Sequence, residues 1–158
     1  MTKILSIALL IVFLIPNGTE WLMQQGFITQ MFLHHFFHGN IFHLCANIFC
    51  IAFSFRYAKP WHLIPTYFIA SVSILASSMP VVGFSNMIYA MIGLRSPSFT
   101  SKWWRQPGTI IFLVITAAMF LFRNVSAITH IISFIGGVMM SVSLRWLQKI
   151  QHDSARYI

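Results

Sequence analysis

The apolar residues of this chain come in long blocks rather than in alternating stripes, and that pattern decides the solvent in which it folds. Six stretches carry almost no charge: 4–16, 33–55, 61–77, 85–94, 107–122 and 125–147. Hydrophobic residues make up 58% of the 158 positions and charged ones 8%, more apolar surface than a soluble domain of this length can bury. Blocks of this kind are helices in lipid, because a helix satisfies its own backbone hydrogen bonds. The expected fold class is an all-α membrane protein: one domain over 1–158, a six-transmembrane-helix bundle with a short fourth helix starting mid-membrane.

The charges agree with that count. The chain holds ten Lys and Arg against two acids, a formal charge of +8. With the N-terminus in the cytoplasm, alternating loops put Lys3, Arg56, Lys59, Arg95, Lys102, Arg105, Arg145, Lys149 and Arg156 inside and only Arg123 outside. This is the positive-inside distribution for an even number of spans. The basic excess is therefore a topology signal, and no nucleic acid is expected as a partner. Trp61, Trp103, Trp104 and Trp146 lie beside the positive loops, where an indole keeps its ring in lipid and its N–H near water. The first segment has the outline of a secretory signal, but no small-residue cleavage site follows Pro16, so it is expected to stay. The expected location is an integral multi-pass position in a prokaryotic plasma membrane, both termini cytoplasmic, with the lipid bilayer as the constant partner.

One segment is too short. Ser85 to Leu94 rises roughly 15 Å, about half the hydrocarbon thickness. It follows 78–84, which carries Pro80 and Gly83. Irregular backbone at that depth is tolerated only beside a watered cavity or under protein cover. Ser85 opens the short helix, where a serine is ordinarily an N-cap. The second segment carries His43 and Asn47 one helical turn apart, and the last carries His130. Measured from the inner helix ends, His43, Ser85 and His130 stand at roughly 18, 14 and 21 Å, within one layer.

A hydroxyl nucleophile needs a base and donors for the developing oxyanion. His130 can be the base; His43, the Asn47 amide and the Ser85 backbone N–H can be the donors. Glu20 and Asp153 are the only carboxylates and neither lies in an apolar segment, so serine chemistry here is a Ser–His dyad. The same shortage removes aspartyl and paired-carboxylate catalysis, and His-Glu-x-x-His is absent. His34 and His38, four apart and on one face of a continuous helix, could join His43 at a metal, although no cofactor or metal is expected. Cys45 and Cys50 occupy different faces of the second segment and are read as apolar residues rather than a disulfide.

Three runs in order carry a resemblance. They are His34 to Asn47 with its His34, His38, His43 and Asn47; Gly83-Phe84-Ser85-Asn86 followed by Ala90 and Gly93; and Thr129-His130 followed by Ser133 and Gly137. Together they resemble the second, fourth and sixth helices of the rhomboid intramembrane serine proteases. The resemblance implies Ser85 as nucleophile, His130 as general base, and His43, Asn47 and the Ser85 backbone as oxyanion hole. It also implies that Tyr89 stacks on His130, that Gly83 allows the turn into the short helix, and that Ser133 and Gly137 let the sixth helix approach the fourth. The expected activity is serine-type endopeptidase cleavage of transmembrane protein substrates near the outer face. Asn86 and Ser133 stand where the family has glycine, and the first outer loop is short. The alternative is a catalytically inactive rhomboid-like protein that binds transmembrane clients.

Overall fold

The computed structural model describes residues 1–56, 58–77, 80–96, 114, 116, 118 and 127–154. Every regular element among them is helical: α1 (Thr2–Phe13), α2 (Gly18–Met23), α3 (Phe27–Leu33) running into a 3₁₀ turn (His34–Phe36), α4 (Ile41–Ser54), α5 (Leu63–Ser73) flanked by 3₁₀ turns, α6 (Ser85–Arg95) and α7 (Ala127–Ser154). Among the described residues, α7 is the one helix long and apolar enough to cross a membrane. The bent pair 27–36 and 41–54 makes a second candidate if taken as one span. α1 and the stretch 60–76 are shorter apolar helices. Of the expected fifth span, 107–122, only 114, 116 and 118 are described; its other residues, with Lys102, Trp103, Trp104, Arg105 and Arg123, lie outside the described residues.

The second apolar segment departs from its expected course. Instead of one helix over 33–55, the chain stops at Phe36, runs extended through Phe37, and restarts at Ile41 at 70° to the helix before it. Asn40 explains the restart: its backbone is extended and its side-chain Oδ1 accepts the His43 N–H at 2.9 Å, an N-cap bond to an otherwise unpaired donor. His34 and His38 therefore do not share a helix face. The last segment also exceeds its expected end at Leu147, since the polar run to Ser154 continues as exposed helix.

α6 is the centre. Every residue from Ser85 to Leu94 is buried, so this helix has no outer face. It packs most extensively on α7 and also against α5 and α4. The α6–α7 contact is backbone on backbone: a Cβ on Gly93 would strike the Phe134 carbonyl, and one on Gly137 would strike the Ala90 carbonyl. Small residues at such a crossing let two helices approach more closely than side chains allow. At its far end α6 is tied to α4, because Arg95 Nη1 donates to the Ser54 carbonyl at 2.7 Å, a cation on the negative end of a helix. Large apolar side chains point outward on α1, α4, α5 and α7, including Ile4, Phe42, Ile64 and Met139, while histidines, serines, threonines and asparagines fill buried positions.

Candidate active site

Ser85 is the first residue of α6, and the chain reaches it through a glycine that nothing else can replace. Gly83 has φ +109°, and its N–H donates to the His34 carbonyl at 2.8 Å. A Cβ there would lie 2.6 Å from His43 Nε2 and 3.1 Å from Asn47 Nδ2. The missing side chain thus brings the strand before Ser85 directly against the two polar residues of α4. The helix-cap reading of Ser85 does not hold: Phe84 is the capping residue, and no side chain caps α6.

The Ser85 hydroxyl lies instead 2.7 Å from Nε2 of His130 on α7, and both residues are 6% exposed. With Nε2 unprotonated, the serine donates and the imidazole accepts. His130 Nδ1 has no hydrogen-bond partner among the described residues, so the pair has no third member there. Tyr89, one turn beyond Ser85, lies over the imidazole with ring centroids 4.6 Å apart and planes tilted by 39°. The Tyr89 hydroxyl is in turn hydrogen-bonded to Thr116 Oγ1 at 2.6 Å, a link to the fifth apolar segment that sequence reasoning missed.

Asn47 is buried with its Nδ2 unpartnered among the described residues. An unspent buried donor costs free energy, about 1–3 kcal/mol, unless something arrives to accept from it. The first N–H groups of α6, that of Ser85 included, face the same end without partners inside the helix. Gly83, Ser85, Asn47, His43, Tyr89 and His130 are thus brought together.

Asn86 follows Ser85 on α6. It is fully buried and its Oδ1 accepts from Thr129 Oγ1 at 3.1 Å, one residue before His130. The pair clamps α6 to α7 immediately beside the dyad. Ser133 is also fully buried at this crossing, its hydroxyl unpartnered among the described residues, and Gly137 lies one turn further along the same face.

The upstream histidines do other work. His34 Nδ1 turns back onto the Gln30 and Met31 carbonyls at 3.2 and 3.0 Å, and His35 Nε2 meets Ser71 Oγ of α5 at 3.0 Å. His38 packs edge-on against His43 with centroids 5.1 Å apart. Among the described residues, no three His, Cys, Asp or Glu side chains converge as metal ligands, so the His34, His38 and His43 site does not form. No known protein-family model matches the sequence, and no curated protein is significantly similar to it.

Proposed function

We propose that this chain is a serine endopeptidase working inside the membrane, with the six-span rhomboid-like architecture that its motifs resemble and transmembrane proteins as its substrates. The observation that carries the reading is the buried 2.7 Å contact between Ser85 Oγ and His130 Nε2, on two helices locked together by glycines, beside an amide with no acceptor among the described residues. The outward-facing apolar side chains on α1, α4, α5 and α7 around a polar interior support the bilayer as solvent.

In this mechanism Ser85 Oγ attacks a backbone carbonyl while His130 Nε2 takes its proton. Negative charge develops on the carbonyl oxygen, where the Asn47 amide, the His43 ring N–H and the Ser85 backbone N–H donate to it, reinforced by the positive end of α6. The imidazolium passes its proton to the leaving amine, which departs with one half of the substrate. Water then attacks the acyl-serine, giving its proton to His130, and the acid half is released as Ser85 regains its hydrogen. Tyr89 restricts the imidazole's rotation throughout.

Purified protein in liposomes, given a transmembrane substrate with a helix-breaking outer end, is expected to cleave it, and Ser85→Ala and His130→Ala are each expected to abolish cleavage. Failure of folded wild type to cleave a panel of such substrates overturns the reading in favour of client binding without catalysis.

A further inference from the structure

Outside the dyad, the described residues enclose two adjoining clefts where the end of α1, α2 and Phe37 meet, about 530 and 180 Å³ in volume. Both are lined by Asn17, Glu20 and Phe37. The larger adds Trp21, and the smaller adds Thr19 and His38. Three features give this place a chemistry. Glu20 is one of only two carboxylates in a chain of net charge +8, and no cation pairs with it among the described residues. His38 is 4% exposed, lines the smaller cleft, and makes no hydrogen bond of good geometry through either ring nitrogen among the described residues, the Phe36 carbonyl being a weak acceptor near it. Trp21 and Phe37 form an aromatic pair, centroids 6.0 Å apart and tilted by 37°.

A bare carboxylate, an imidazole with a nitrogen free to accept and two rings ask for a cation that donates several hydrogen bonds and carries an apolar stem. An alkylammonium has three donors and no acceptor, matching Glu20 and the unprotonated nitrogen of His38, and its methylenes suit the ring faces. A metal ion fits poorly, since no three ligating side chains converge there.

The cleft is also connected to the dyad. His38 packs on His43, and a Cβ on Gly83 would collide with the His43 ring. Gly83 precedes Ser85 by two residues, so cleft and dyad are joined by a short run of contacts through His38, His43 and Gly83. We infer that the Glu20–His38 cleft is a specificity site that takes a lysine side chain of the transmembrane substrate, on the outer side of the scissile bond. This deepens the protease reading and rests on it for the identity of the bound chain. Basic residues are uncommon on the outer flank of a span, so such a requirement selects few proteins from many.

The test separates binding from cleavage. Fluorescent transmembrane peptides carrying either lysine or Nε-acetyl-lysine, moved one position at a time through the outer flank, are titrated into liposomes containing the Ser85→Ala protein. At one or two positions the lysine peptide is expected to bind about tenfold more tightly. Glu20→Gln, at an exposed position that does not threaten folding, removes the preference, and Glu20→Lys transfers it to a peptide with glutamate at the same place. Equal binding of the two peptides at every position, or a preference that survives Glu20→Gln, overturns the inference. Cleavage of the tightly bound lysine peptide by wild type is measured alongside; its absence counts against the dyad and leaves the binding result standing by itself.

Discussion

Gly137→Ala separates a packing account of this site from a chemical one, because the residue touches no reacting atom. It lies seven positions beyond His130 on α7, two turns or about 10 Å away. An added Cβ would meet the Ala90 carbonyl and Leu94 N of α6, the latter at 2.7 Å. Both obstacles are backbone in a wholly buried helix, so neither can swing aside. Restoring ordinary contact from 2.7 Å needs α6 and α7 to part by about 0.7 Å at Leu94 N and by more at Ala90. A shift of that size carried to the dyad lengthens the Ser85–His130 contact from 2.7 Å to beyond hydrogen-bonding reach. Misplacement by about 1 Å costs on the order of 100-fold in rate, and overpacking costs about 1–3 kcal/mol of stability. The alanine is otherwise favourable by roughly 1 kcal/mol in a helix, so any loss must come from the contact. Gly136→Ala is the control: its Cβ would press the Ile69 Cγ2 methyl at 2.7 Å, a side chain that can rotate. The assay is initial cleavage rate in liposomes with thermal unfolding measured in the same detergent extract. Gly137→Ala cleaving at the wild-type rate, or the two alanines losing activity equally, refutes the reasoning.

Asn47→Leu should part activity from stability: cleavage falls about 100-fold or more with the loss of an oxyanion donor, while the melting temperature holds or rises because an unpartnered buried amide is gone. Tyr89→Phe keeps the ring over His130 and loses the hydroxyl bonded to Thr116, so it is expected to retain most activity, whereas Tyr89→Ala loses about tenfold or more in cleavage rate. Thr129→Val removes the donor to Asn86 Oδ1 inside the α6–α7 contact; unfolding by heat is expected to show a loss of about 1–3 kcal/mol, and Asn86→Gly in the same background should recover part of it.

Much of this site could be read from the chain because its constraints are local. A ten-residue apolar stretch after Pro80 and Gly83 is too short to cross a bilayer and predicts a helix with a buried start, which the enclosure of Ser85 to Leu94 matches. The Ser85 hydroxyl and His130 Nε2 do meet. The bend at Gly39 and Asn40 was less visible, because the hydropathy of 33–55 is unbroken, although Asn40 three residues before His43 carried the N-cap signal. α7 runs on to Ser154 past the apolar stretch that closes at Leu147, because a loss of hydropathy does not by itself end a helix. The Asn86–Thr129 pair and the Tyr89–Thr116 bond depend on how helices rotate about their axes, which spacing along one chain does not specify.

The complete enclosure of α6 has a consequence for biogenesis. On the membrane reading proposed above, a segment buried from Ser85 to Leu94 has little to hold it in a bilayer when it leaves the ribosome, and its main packing partner, α7, is made after it. On that reading the helices with outward-facing apolar side chains can wait in lipid, whereas α6 is seated only when α7 packs on it. A nascent chain stalled before Gly137 would then present an unseated polar half-helix, the kind of feature by which membrane quality control distinguishes an unfinished protein from a finished one.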